Sequence, residues 1–277
     1  MIFDERACGL GEGPLWHPLR QELFWFDINA RKLHSKAQTW EFTQSVSAAG
    51  WIDETTLLIA SEIGLHRFDI QDDTLNAPIV AIEADNPITR SNDGRADPWG
   101  GFWIGTMGFN AEPNAGAIYR YFKGELRQLV PDVTISNAIC FTPDRKFAHY
   151  TDTVTKQIMR VALDPVTGWP NAPALIWLDL SNDDLNPDGA IVDAAGSLWL
   201  ALWGAGCVNT YGSDATLIAS HKVDGKHTTC PAFGGADLND LYVTTATQAI
   251  KGALDDNGKT FVLKDVGKGQ SEHQVIL

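Results

Sequence analysis

Asp97-Pro-Trp-Gly-Gly-Phe-Trp-Ile-Gly-Thr106 reads as a turn of Asp, Pro and Gly, then a short apolar and aromatic run, then a small polar residue. The same order recurs as HPLRQELFWFD from His17, IDETTLLIAS from Ile52, TPDRKFAHYTDT from Thr142, DAAGSLWLAL from Asp193 and GADLNDLYVTT from Gly235. With Phe24, Leu57, Phe102, Phe147, Leu198 and Leu241 as equivalent anchors, the steps are 33, 45, 45, 51 and 43 residues. Each run is β-branched or aromatic and bounded by turn residues, as strands are. A second run often follows about a dozen residues later, as GLHRFDI, GAIYRYF, QIMRVAL and CVNTYG, and long amphipathic helical stretches are absent. Six copies in 277 residues, each long enough for several strands, predict an all-β chain folded as a six-bladed β-propeller, ahead of one or two β-sandwiches. Closing the ring requires a strand near Ile2 and Phe3 to pair with strands from the C-terminal end. The short first step predicts tight loops in the first two blades. No linker or low-complexity segment interrupts the chain, so residues 1–277 are expected to form one domain.

Composition narrows the function. The chain is 44% hydrophobic and 20% charged, with 35 Asp and Glu against 21 Lys and Arg, a net charge of -14. Such a surface repels phosphate backbones and anionic lipid, which argues against nucleic-acid and membrane partners but allows a small anion held by one Arg. No apolar run approaches the roughly 20 residues of a membrane-spanning helix. Charges stand where an export signal needs its apolar segment, so a cytoplasmic location is expected. Cys8, Cys140, Cys207 and Cys230 are far apart with no CxxC pair, which fits four reduced thiols better than a zinc ribbon or redox motif.

In a propeller the innermost strand of each blade runs along a central channel and the loops leading into it ring one mouth, so functional residues are expected there, just before the turn-and-strand unit, once per blade. Glu12 in LGEGPLW, Asn92 in TRSNDG, Asn137 in ISNAICFTPD and Asp188 in NPDGAIVD occupy that place. Converging Glu, Asn and Asp oxygens suit a hard divalent cation such as Ca2+, Mg2+ or Mn2+, and the carboxylates also accept Zn2+. Taken singly, each residue has a plainer role. Glu12 lies between Gly11 and Gly13, where a solvated turn is common, Asn137 and Asp188 are turn formers, and Arg90 fits a surface charge. Trp99, Trp103, Trp199 and Trp203 read as blade-core aromatics ahead of sugar platforms, and the seven His residues have no metal-binding spacing.

Longer motifs carry a resemblance. LGEGPLW (Leu10 to Trp16), RSNDGRADPWGGFWIGTM (Arg90 to Met107), GAIYR (Gly116 to Arg120), SNAICFTPD (Ser136 to Asp144), YTDT (Tyr150 to Thr153) and PDGAIVDAAGSLWLALWG (Pro187 to Gly204) appear in order, with PAFGG beyond them. In these motifs the chain resembles the gluconolactonase, regucalcin (senescence marker protein) and luciferin-regenerating-enzyme-like family over nearly its whole length. The resemblance implies a six-bladed propeller and one divalent metal ion held by Glu12, Asn137 and Asp188. It carries the family's substrate contacts onto Arg90, Asn92 and, in NAEPNAG, Glu112. Asp93 and Asp152 are placed to orient these groups by hydrogen bonding.

The implied chemistry is hydrolysis of a sugar lactone, an aldono- or aldarolactone from sugar oxidation. A cation polarises the carbonyl or activates a water, Asp188 takes the water's proton as catalytic base, and Arg90 and Asn92 hold hydroxyls or a second carboxylate. The alternatives are another ester or phosphotriester on the same metal, a calcium-binding regulatory propeller without turnover, and a protein-interaction scaffold. Three other motifs fail. The EF-hand-like run from Asp184 has Ala195 at its twelfth position, the P-loop-like run from Gly252 has five intervening residues where four are required, and CGLGEGP lacks a βαβ context. No GxSxG elbow is present.

Overall fold

The computed structural model describes residues 1–251 and 255–277; the start of the P-loop-like run at Gly252 lies outside the described residues. Strand β1 (Ile2–Asp4) leads. The first blade is β2 (Gly11–His17), β3 (Glu22–Asp27), β4 (Lys32–Ser35) and β5 (Thr39–Glu41), and the second is β6 (Val46–Trp51), β7 (Thr56–Ser61), β8 (Gly64–Asp69) and β9 (Thr74–Ala81). The third is β10 (Thr89–Ala96), β11 (Phe102–Gly108), β12 (Gly116–Phe122) and β13 (Glu125–Val133). The fourth is β14 (Ser136–Phe141), β15 (Phe147–Asp152), β16 (Gln157–Ala162) and β17 (Leu175–Asp179), and the fifth is β18 (Pro187–Val192), β19 (Leu198–Leu202), β20 (Cys207–Tyr211) and β21 (Leu217–Lys222). The sixth is β22 (His227–Gly234), β23 (Asp240–Ala246) and β24 (Thr260–Leu263), completed by β1. Each blade is a four-stranded antiparallel meander, and the whole is the expected six-bladed propeller.

The six recurring anchors all fall on the second strand of their blade. The ring closes as anticipated: β1 pairs with β24, setting Ile2 opposite Phe261 and Asp4 opposite Thr260. Arg6 then ties this seam to the first blade, its guanidinium held by Asp4 at 2.7 Å and donating to the Thr39 hydroxyl at 2.9 Å. The 33-residue first step has a second cause besides tight turns, since β4 and β5 are only four and three residues long. The longest step contains the extended β16–β17 connection, residues 163–174.

Among the described residues, six apolar clusters fill the wedges between neighbouring blades. Phe24, Leu57 and Phe68 pack between blades one and two, Leu58, Phe102 and Ile104 between two and three, and Trp103, Ile139 and Phe141 between three and four. Ile158 and Leu200 follow, then Trp199 and Phe233, and Trp16 stacks on Tyr242 at 5.6 Å to join blade six to blade one. Each fully buried Phe contributes roughly 2–3 kcal/mol. Trp103 and Trp199 are thus core residues; Trp99 and Trp203 are only partly buried.

Blade four holds a buried imidazole. Burial, with Arg160 nearby, pushes His149 down to about 3, and among the described residues neither ring nitrogen has a hydrogen-bond partner. The folded protein keeps this ring neutral while the unfolded chain protonates near the ordinary value of 6.5. Stability from this residue is therefore whole above pH 6.5 and lost as pH falls towards 3, by about 1.4 kcal/mol per unit. In urea titrations from pH 7 to 4, His149→Phe should show a shallower acid slope than wild type; parallel slopes would contradict this.

Candidate metal centre and substrate mouth

Neighbouring blades meet chiefly through their first strands, β2, β6, β10, β14, β18 and β22, which line the axis. Each pairs with its second strand through one register break: between Glu12 and Leu15, Val46 and Ala48, Ser91 and Gly94, Asn137 and Cys140, Pro187 and Ala190, and Thr228 and Pro231. Such bulges re-aim side chains and interrupt the ladder. Glu12, Asn92, Asn137 and Asp188 sit at or inside these breaks. They precede the turn-and-strand unit as expected, but on strands, one strand inward from the recurring runs, and not in entrance loops. Two glycines make the packing possible. Gly13 has a φ of +52° and faces the Ser47 carbonyl of blade two, while a Cβ on Gly189 would lie 2.5 Å from the Cys230 Sγ of blade six.

The residues gathered here are buried, none more than 6% exposed: Glu12, Arg90, Asn92, Asn137 and Asp188. The solvated-turn and surface-charge alternatives for Glu12 and Arg90 therefore fall away. Arg90 donates to the Asn92 Oδ1 at 2.8 Å, and the Asn92 Nδ2 donates to the Ser136 carbonyl at 2.8 Å and the Asn137 Oδ1 at 3.2 Å. Asn137 Nδ2 donates to the Thr153 hydroxyl at 2.9 Å, and Thr153 donates to the Pro187 carbonyl at 2.8 Å. One polar chain thus runs from blade three through blade four to blade five. Asp93 accepts from the Ile139 N–H at 2.7 Å, and Asp152 accepts from the Thr134 and Ile135 N–H groups, so both brace β14.

Burial, with Asp93 nearby, pushes Glu12 up to about 8. Burial and the charge of Glu12 push Asp188 well above the usual carboxylate range, and burial lifts Asp93 to about 6. Burial lowers Arg90 to about 10 against the pull of Glu12. Three carboxyls packed together with too little positive charge are what a divalent cation relieves. The donor set is all oxygen: Glu12, Asp188 and the Asn137 amide. Among the described residues no three His, Cys, Asp or Glu side chains form a chelating group, so this amide and solvent or substrate oxygens must complete the shell. On that chemistry the residues fit a hard cation.

The SMP-30/gluconolactonase/LRE-like family model matches residues 10–247. The chain belongs to that family. Among solved structures, a calcium-binding protein, regucalcin, from Agrobacterium tumefaciens is 38% identical, with a TM-score of 0.97 over 100% of this chain and 97% of the other. A pentonolactonase of Haloferax volcanii is 36% identical over 87% of this chain and 83% of its own, and an L-arabinolactonase of Azospirillum brasilense is 32% identical over 89% and 83%.

Within this family member, five of the six residues singled out from the sequence are buried in the cluster, while Glu112 is partly buried and bonds within its own loop. It lies in the loop between β11 and β12, where its carboxylate folds over Gly108 and accepts from the Asn110 backbone at 3.0 Å and side chain at 3.0 Å. Hydrogen bonding to the Asn110 side chain holds it below the usual carboxylate range. Conversely, Thr153 was not singled out, although it joins Asn137 to β18. Its only signal was its place in YTDT. Because the folded state must keep Asp188 protonated where the unfolded chain ionises it, metal-free Asp188→Asn at neutral pH should melt at or above metal-free wild type and gain little on adding Mn2+. A clear drop in metal-free melting temperature, read by calorimetry, would contradict that cost.

Proposed function

We propose that this protein is a metal-dependent sugar lactonase, opening aldono- or aldarolactones to hydroxy acids in sugar oxidation. The observation that carries this is the buried meeting of Glu12, Asn137 and Asp188 with the Arg90–Asn92 pair beside them. The relatives named as a pentonolactonase and an L-arabinolactonase support the same substrate class.

Glu12, Asn137 and Asp188 would hold one divalent ion, which when bound supplies Lewis-acid polarisation of the lactone carbonyl. Arg90, oriented by Asn92, binds ring hydroxyls or a second carboxylate and fixes the ester over the carboxylates. An Asp188 oxygen accepts the proton of the attacking water as its oxygen bonds to the carbonyl carbon. When the bond from that carbon to the ring oxygen breaks, Asp188 returns the proton to the ring oxygen, leaving a hydroxyl and a carboxylic acid. Proton and electron pairs balance with water as the sole co-reactant.

The test is acid release from a panel of aldono- and aldarolactones by metal-stripped protein with each divalent cation added back. Turnover should require metal, and Asp188→Ala should lower kcat by at least about 100-fold. Arg90→Lys should raise KM about tenfold with a smaller effect on kcat. Tight calcium binding with no hydrolysis beyond the buffer rate would instead make this a binding propeller, in line with its calcium-binding structural relative.

A further inference from the structure

The candidate site occupies the mouth at the start of the inner strands. The other mouth is crossed by the C-terminal segment, residues 264–277. Gly269 donates to the Leu238 carbonyl of blade six, and Ala194 of blade five donates to the Lys268 carbonyl. Gln270 donates to Val192 of blade five at 2.8 Å and Phe141 of blade four at 3.2 Å. Ile276 then bonds Gly100 of blade three, and Val275 bonds Trp51 of blade two. This strap touches five blades and lies beyond the residues matched by the family model.

At its centre Glu272 pairs with Arg95, side chains 5% and 9% exposed. Arg95 follows Asp93 by two residues on β10, and its guanidinium reaches past blade four to the carbonyl of Ala190 at 3.5 Å, two residues past Asp188 on β18. Among the described residues its Nε has no partner, and Asp93 as well as Glu272 attracts it. Between strap and floor remains a cavity of about 20 Å3, lined by Arg95, Cys140, Ile191 and Gln270 among others. A buried ion pair is a poor source of stability, since apolar residues of similar volume serve as well. Its geometry does something else: Glu272 anchors Arg95, which links the two strands that carry Asn92 and Asp188.

We propose that Glu272 of the strap holds Arg95 across the channel floor, where Arg95 sets the spacing of β10 and β18 and, with the strap, seals the site from beneath. The spacing half rests on the metal-site reading above; the seal does not. Arg95 is a positioning residue, acting on the carboxylates through the backbone it braces.

The test replaces both partners, Arg95→Met with Glu272→Met, which keeps volume and removes the span. The double variant should still melt cooperatively within a few degrees of wild type. Its affinity for Mn2+ alone, by calorimetry, should fall about tenfold or more. Cys140 and Cys230 should react faster with a thiol reagent, while Cys8, buried between blades six and one, stays protected and reports any global unfolding. A folded double variant with wild-type thiol protection and Mn2+ affinity overturns the proposal. If the double variant does not fold, Glu272→Asp, which keeps the charge and shortens its reach, is judged by the same readouts. Wild type that binds no metal overturns the spacing half together with the site reading, and thiol protection then decides the seal.

Discussion

Closing six twisted sheets around one axis brings their first strands close together, and each of those strands gives up part of its ladder at a bulge. The carbonyls there need partners, and neighbouring blades supply many of them with side chains. Thr229 donates to the Gly11 carbonyl at 2.5 Å, Ser47 to Asn92 at 2.6 Å, Asn92 to Ser136 at 2.8 Å, and Thr153 to Pro187 at 2.8 Å. An orphaned carbonyl costs about 1–3 kcal/mol when buried, so this girdle is a condition of the fold as much as of the site. It is also why Asn92 serves both: its amide closes one blade against the next while its oxygen receives Arg90.

The same constraint explains the charge arrangement. Bulges turn Glu12, Asp93 and Asp188 into a space that water reaches poorly, where burial resists charging all three, Asp93 adds to the cost for Glu12, and both add to it for Asp188. A fold selected for stability alone would not place three carboxyls there. Arg90 beside them and Arg95 beneath them offset part of that cost, and Arg95 is itself balanced by Glu272 from the other end of the chain. The site is thus framed by blade residues from Glu12 to Asp188 and by a C-terminal strap that crosses underneath.

Sequence periodicity reveals the fold because the second strands carry it: Phe24, Leu57, Phe102, Phe147, Leu198 and Leu241 repeat a burial pattern that turns announce. The closure strand at Ile2 follows from the need to leave no open edge, and the structure has it. Glu12, Asn92, Asn137 and Asp188 were visible in polar clusters placed just before the turn-and-strand units, and the family resemblance added Arg90 and the roles. Glu112 was not separable in that way, since a loop carboxylate can reach inward or, as found, bond to its own turn at Asn110. The bulges left no compositional mark beyond scattered glycines, and a left-handed Ala138 with φ of 57° has none at all. Arg95 lay unnoticed in RSNDGRADP because its partner, Glu272, is 177 residues away; no local pattern encodes so distant a contact.

The central claim is that a single metal ion sits among the inner-strand bulges. An anomalous-difference map from crystals grown with Mn2+ tests it most directly. One peak within about 2.5 Å of carboxylate oxygens of Glu12 and Asp188 and the amide oxygen of Asn137 is the predicted result. A peak elsewhere, or none in crystals of protein that hydrolyses lactones, would contradict it.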